Sequence, residues 1–364
     1  MEASPTSKAF ATDYKAKYGQ EPDLYAAWSY DAVLVFAEGM KKAPALKPEN
    51  IRKGILSIQK FQGAESELNF DQKGMERVAM SKEELVRDLQ AKAMKLRRES
   101  LFVMKEMGMG WLGGSFSSAD FVTALFFYRM RHDPKKPQWS ERDRLIISKG
   151  HACEVFYAAL AEAGYIPREE LKTYSHCGSR LQTHVDCRTP GIDCSGGSLG
   201  LGLSFAVGAA IGAYISPDEE NLKADVRHRE ARFRVYCILG DGECNEGQVW
   251  EAAANAFHYR LDNLTAIVDN NRFQSTGPVE KKMNMLSLGE KFRAFGWETR
   301  EIDGNDLSEV IDTLDWALTV KGRPQAIIAH TIKGKGFPSL ENTNCHFIKI
   351  TDEILKTGLE ALKG

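Results

Sequence analysis

No run in this chain approaches the roughly 18 consecutive apolar residues that a membrane-crossing helix requires. The longest candidate, residues 203–215, is rich in glycine and alanine and suits a buried helix. Charge of one sign is lacking too: 48 Lys and Arg against 50 Asp and Glu leave a formal net charge of -2. That balance gives no general affinity for nucleic acid or an anionic membrane. The densest basic patch, residues 227–234, reads as a solvated loop leading into a strand. The first eight residues lack the basic and apolar regions of a signal peptide, and none of the seven cysteines belongs to a Cys-x-x-Cys pair. Free thiols in a reducing compartment, the cytoplasm, are expected. His176, Cys177, His184, Cys187 and Cys194 cluster in sequence, but their spacing matches no structural zinc pattern. Thr189-Pro190-Gly191 makes that segment a loop, so zinc is not expected there.

The 364 residues leave room for two domains, with a boundary near residue 79. Before it, residues 10–18 read as an amphipathic helix stopped at Gly19. Residues 25–40 read as a second helix with Ala26, Ala27, Tyr30, Val33, Leu34 and Ala37 on its apolar side. A third helix is expected over 51–58, and residues 66–74 alternate like a strand and its turn. This order, with the runs Tyr18 to Ala27 and Ser29 to Val33, resembles the carboxy-terminal part of periplasmic branched-chain amino-acid-binding proteins. The resemblance omits nearly all of both lobes that would form a cleft, so a fused remnant without ligand binding is expected. Ser81 and Glu84 then stand at the two positions of a capping box. A helix follows with Leu85, Leu89, Ala93, Leu96, Ser100, Val103 and Met107 as its stripe.

The second part is organised around residues 235–271. An apolar run ends in Gly240-Asp241-Gly242-Glu243, a helical segment follows, and a second apolar run ends in Asp269-Asn270-Asn271. That is a βαβ unit. In an open parallel sheet ligands bind outside the carboxyl ends of the strands, so Asp241 and Asn271 converge there. Both are hard oxygen donors, the pair a magnesium ion takes when phosphates and water complete its octahedron. The flanking glycines let the backbone approach a diphosphate closely. Further apolar strands near Leu145 and Ala326, separated by helical segments, predict a parallel α/β sheet with helices on both faces, preceded by a small α+β appendage. Gly108 to Ser115 reads as a glycine-rich loop, with a helix over 119–130 after it. Residues 142–151 read as a strand ending in a Gly-His turn, followed by a helix over 154–164.

Gly-Asp-Gly, about thirty residues and then Asn-Asn resembles the thiamine diphosphate motif. Together with residues 142–151, Ser179 to His184, Gly197-Ser198-Leu199-Gly200 and Thr331 to Gly336, in this order, the chain resembles transketolases. It is most similar to the amino-terminal subunit of the split type, over about residues 80–350. The resemblance implies thiamine diphosphate and Mg2+, or Ca2+ or Mn2+ in its place, held by Asp241, Asn271 and the carbonyl of Phe273. It places Gly197, Ser198, Leu199, Gly240, Asp241, Gly242, Glu243, Asn271 and Lys333 at the cofactor. It gives catalytic roles to His151, His184, His346 and Glu246, the last near a dimer axis. It implies transfer of a two-carbon ketol unit from a ketose phosphate to an aldose phosphate in carbohydrate metabolism, as in the pentose phosphate pathway. It also implies a carboxy-terminal partner subunit carrying the pyrimidine-binding domain, in a dimer or heterotetramer, with the isolated chain inactive. A deoxyxylulose phosphate or dihydroxyacetone synthase would be a variant of this reading.

The departures bear on the chemistry. Trp111 stands where the family has a histidine credited with proton transfer or hydroxyl contact, and an indole N–H only donates. General acid–base help of that kind is worth roughly 10²–10⁴ in rate. A degenerate binding module that keeps the cofactor site is therefore the alternative to an enzyme subunit. Leu201 stands where glutamine is usual, Asn305 where histidine often follows Ile-Asp-Gly, and Phe347 where glycine is usual.

Overall fold

A computed structural model of the chain describes residues 5–18, 24–44, 55, 57–58, 61–62, 67–70, 76–78, 81–215 and 230–363. The chain divides into two compact units, Met1–Leu85 and Val86–Gly364. In the first, α1 (Pro5–Tyr18) and α2 (Leu24–Lys42) precede β1 (Phe61–Gln62), β2 (Glu67–Phe70) and β3 (Glu76–Val78), which pair antiparallel in that order. The expected helix over 51–58 lies largely outside the described residues. The buried stripe of α2 is Asp31, Val35 and Gly39, and Tyr30 and Val33 are exposed. This corrects the expected face by about one residue, because Gly39 takes Ile55 against its bare backbone.

Helix α3 (Lys82–Met107), most of it in the second unit, opens on the expected capping box. Glu84 N–H donates to Ser81 Oγ at 3.2 Å, and Ser81 N–H donates to the Glu84 carboxylate at 2.8 Å. Five parallel strands then build the second unit's sheet: β5 (Arg144–Ile147), β6 (Val235–Gly240), β7 (Leu264–Asn270), β10 (Glu298–Asp303) and β11 (Gln325–His330), in the order β10-β11-β7-β6-β5, with the short antiparallel pair β8 (Phe273–Gln274) and β9 (Gly277–Pro278) outside it. Val235, Cys237, Leu239, Ala266, Val268, Ala326 and Ile328 share one core cluster with α6 (Leu201–Gly212) and α7 (Gly247–His258). The alternate residues Tyr236, Ile238, Thr265, Ile267 and Ile327 are buried as well, as strands covered on both faces require. Helix α6 is buried on one side only; Leu201 and Phe205 on its other side are exposed.

Two expectations change in this unit. The segment expected as a glycine-rich loop forms β4 (Met109–Gly110) and then the first turn of α4 (Leu112–Ala124), which continues into a π-helical turn to Arg129. Gly108 does turn the chain, with φ 81°, whereas Gly113 serves close packing: a Cβ on it would stand 2.6 Å from Lys333 Cε and 2.8 Å from the Cys345 carbonyl oxygen. Arg232 and Arg234, expected in a solvated loop, instead donate to the carbonyls of Ile215 and Asp262 at 2.8 and 3.0 Å. Residues 227–229 of that basic stretch lie outside the described residues.

After β5 the chain turns at Gly150 and enters α5 (Cys153–Ala163), which ends on Gly164 in the left-handed conformation. Gly150 packs backbone to backbone on Gly196. A Cβ there would meet Gly196 Cα at 2.8 Å and its carbonyl carbon at 3.1 Å, and neither can swing aside. Gly150→Ala is expected to lower the unfolding free energy by about 1–3 kcal/mol. Gly208→Ala on the open side of α6, with nothing within 4 Å, is expected to raise it by about 0.5–1 kcal/mol. Urea unfolding of both variants checks the contrast, and a neutral Gly150→Ala contradicts the packing argument.

Candidate active site

Four of the sheet's strand ends and one loop converge on a single locus. The penultimate residue of strand β7, Asp269, is fully buried and accepts from Ser117 Oγ at 2.7 Å, Asn271 Nδ2 at 3.0 Å, Thr331 Oγ1 and Lys149 Nζ. Lys149 follows β5, is itself buried, and also donates to the Gly114 carbonyl at 3.1 Å. Because Asp269 and Ser117 hold the Asn271 amide nitrogen, its Oδ1 faces the turn beyond, where it accepts from Phe273 N–H at 3.1 Å. Arg272 makes this turn possible with φ 65°, in the left-handed region.

Asp241 follows β6 and is buried. It accepts from Gly242 N–H at 2.7 Å and Arg272 N–H at 2.5 Å. Burial, then the charge of Asp269, push its carboxyl up to about 7. A buried carboxylate in that condition favours a cation beside it. Lys333, after β11, is buried and donates to the Phe273 carbonyl oxygen at 3.3 Å, so that oxygen already meets a positive charge. One carboxylate, one amide oxygen and one carbonyl oxygen on adjacent strand ends are hard donors, and they fit a magnesium-like ion. Among the described residues no group of three or more His, Cys, Asp or Glu could hold a metal, and all seven cysteines are free.

The histidines gather beside Lys333. His346 Nδ1 lies 3.1 Å from Lys333 Nζ, and the His151 and His346 rings are 4.9 Å apart. Burial, then Lys333 and Lys149, depress His346 to about 4. Burial and then the charge of His346 hold His151 well below its ordinary value, and burial lowers His184. Burial also lowers Lys333 to about 8. All three imidazoles are thus neutral near pH 7, able to accept a proton at one nitrogen and donate at the other. His184 is positioned by its loop: Val185 N–H donates to the Gly150 carbonyl at 3.2 Å, and Gly196 N–H to the Val185 carbonyl at 2.8 Å.

The other expected residues fall elsewhere. Glu243 turns inward and accepts from Gly200 N–H at 2.9 Å, Gly240 N–H at 3.0 Å and Ser148 Oγ, tying three loops together rather than facing a ligand. Gly197, Ser198 and Leu199 are exposed at the start of α6, and Glu246 is exposed against Gly200. Asn305 bridges α4 to the β11 turn, donating to Asp120 at 2.7 Å and accepting from Ile332 N–H at 2.8 Å. Lys149, Asp269, Ser117 and Glu154 carry much of the site and were not singled out by sequence. The signal for Asp269 was a charge closing a strand that is otherwise apolar. A surface cavity of about 380 Å³ lined by Glu99, Phe102, Val103, Arg168 and Leu171 contains none of these residues.

A family model described as "Transketolase, thiamine diphosphate binding domain" matches residues 90–355. The 6-deoxy-6-sulfo-D-fructose transketolase subunit SqwG of Clostridium sp. (strain MSTE9) is 40% identical over 278 residues, which is 76% of this chain and 96% of that protein. An apulose-4-phosphate transketolase subunit of Phocaeicola vulgatus is 37% identical over 70% of this chain and 86% of its own length. The crystal structure of transketolase from Campylobacter jejuni superposes with a TM-score of 0.68 at 31% identity, covering 76% of this chain but 43% of that one. The chain therefore spans less than half of such a single-chain transketolase.

Asp241 gives a pH test. Its folded value of about 7 exceeds the ordinary 3.8. A raised acid is neutral in both states at low pH and costs stability as pH rises, with the full cost present above the folded value. Asp241→Asn loses one acceptor at every pH, but in metal-free protein its stability relative to wild type is expected to rise by about 1–2 kcal/mol between about pH 4 and pH 8. Urea unfolding across that range checks it; a difference between variant and wild type that does not change with pH contradicts the assignment.

Proposed function

The chain belongs to the transketolase family and corresponds to its thiamine diphosphate-binding domain, and from that premise we propose that it is the amino-terminal subunit of a two-subunit, magnesium-dependent transketolase. It would transfer a two-carbon ketol unit from a ketose phosphate to an aldose phosphate. The observation that carries the reading is the convergence of Asp241, Asn271 and the Phe273 carbonyl beside Lys333 and three neutral histidines. Asp241, Asn271 and Phe273 would hold the magnesium ion and Lys333 would meet diphosphate charge. Thiamine diphosphate, when bound, supplies the electron sink for cleaving the carbon–carbon bond.

The chain's own residues do the rest. Lys333 donates to His346 Nδ1, which leaves the imidazole proton on Nε2 as a donor for a sugar hydroxyl. His151 and His184, neutral for want of solvation, can take a hydroxyl proton at neutral pH. Asp269 holds the Asn271 amide so that its oxygen, not its nitrogen, faces the ion.

The relatives named as transketolase subunits support a partner that carries the pyrimidine-binding domain. Exposed Leu199, Leu201 and Phe205 beside the site are the surface we assign to subunit contact, with Glu246 next to them. Every residue given a role here belongs to the second unit, residues 1–78 being read as a fused remnant without ligand binding, and seven free thiols suit the cytoplasm.

Isothermal titration of thiamine diphosphate with Mg2+ tests the reading, on this chain alone and with a carboxy-terminal transketolase subunit. Binding is expected to tighten with the partner and to weaken by more than about 100-fold in Asp241→Ala. Absence of binding in both settings sinks the reading. Binding without turnover in the assembly favours the catalytically degenerate module instead.

A further inference from the structure

Trp111 stands among the three imidazoles. Its ring lies 5.4 Å from His151, 5.6 Å from His184, 5.3 Å from His346 and 4.3 Å from Phe347, centroid to centroid. The side chain is pinned at both ends. Its peptide N–H donates to Glu154 at 2.8 Å, and its indole Nε1–H donates to the Thr183 carbonyl at 3.0 Å. Glu154 is fully buried and held in turn by Ser115 Oγ at 2.8 Å and the Tyr174 hydroxyl at 3.0 Å. Trp111, His184, His346 and Phe347 all keep partial exposure, so the ring borders accessible space instead of closing a core.

The indole's one donor is taken, and it has no acceptor nitrogen to offer. What remains for a ligand is ring surface, whose negative face attracts C–H bonds polarised by neighbouring oxygens. The site therefore has two unlike sides. His151, His184, His346 and Lys333 can satisfy hydroxyls, whereas Trp111 and Phe347 cannot. A hydroxyl pressed onto the indole gives up its water and finds no partner, while a hydrogen at that carbon gives up nothing.

We propose that Trp111, braced by Phe347 and anchored through Glu154 and Thr183, is a specificity-determining residue. It selects ketose-phosphate donors whose carbon against the indole carries hydrogen in place of hydroxyl, that carbon lying beyond C3, whose own hydroxyl must become the carbonyl of the released aldose when the C2–C3 bond breaks. The inference rests on the ketol-transfer reading of this site.

The test measures kcat/KM in the assembled two-subunit enzyme for ketose phosphates and their single-deoxy analogues altered beyond C3, with wild type, Trp111→His and Trp111→Phe. For at least one analogue the deoxy-to-parent ratio is expected to fall about 10- to 100-fold in Trp111→His, which restores a polar partner. Trp111→Phe, still an aromatic wall, is expected to keep the wild-type ratio. If Trp111→His fails to fold, Trp111→Gln carries the same expectation. Ratios unchanged by the polar variants for every analogue, or an equal fall in Trp111→Phe, overturn the proposal. Cofactor titration of the wild type separates the two levels: bound cofactor and turnover with unmoved ratios sink the wall alone, whereas no bound cofactor sinks the active-site reading with it.

Discussion

The site depends on one buried carboxylate. Asp269 closes the central strand β7 and accepts from groups on three other elements: Lys149 after β5, Ser117 on α4 and Thr331 after β11. A buried ion pair contributes little net stability, because desolvation offsets most of its attraction. Removing one partner, however, leaves a charge that costs about 3–5 kcal/mol. The Lys149–Asp269 pair is therefore better understood as a constraint on position than as a source of stability. It fixes the relative height of the strand ends and, through Asn271, decides which atom of that amide meets a ligand.

The same charge shapes its neighbours. Gly240 and Asp269 are paired in register on β6 and β7, so the next residue, Asp241, cannot avoid a second carboxylate nearby. Its raised pKa follows from burial and that repulsion, and it makes the pocket receptive to a cation. On the far side burial depresses His346 and His151, and the buried Lys149 and Lys333 add to it. Burial and these charges together make half of the site welcome positive charge and keep the other half's imidazoles neutral. Acid–base work at neutral pH needs the second condition as much as metal binding needs the first.

Most of the sheet was legible because its inner strands are buried on both faces and read as apolar runs. That covers β5, β6, β7 and β11, and with them the loci of Asp241, Asn271 and Lys333. Strand β10 was not legible: Glu298–Asp303 is an edge strand with Ile302 as its one buried residue, so it carries no apolar signature. Gly113 was misread because glycine marks both turns and close approaches, and only the distance to Lys333 and Cys345 separates the two. Glu243 was misassigned for a related reason. Adjacency in a motif put it at the cofactor, but its backbone direction turns the carboxylate under the loops it ties.

Trp111 shows where pattern stops and geometry begins. Read as a residue type, an indole in place of an imidazole suggests lost chemistry. In place, three imidazoles surround it, and the nearest of them to Lys333 already has its tautomer set by that lysine. Under the proposed ketol transfer, proton transfer would not require a group at position 111. What the position would supply is a boundary, and a boundary that wandered would let the histidines rearrange. The buried Glu154 carboxylate, accepting from the peptide N–H of Trp111, from Ser115 and from Tyr174, gives that boundary a rigid mount in the core. An ionisable group buried that deeply is costly unless every lone pair is used, and here the use it is put to is holding an aromatic wall in position.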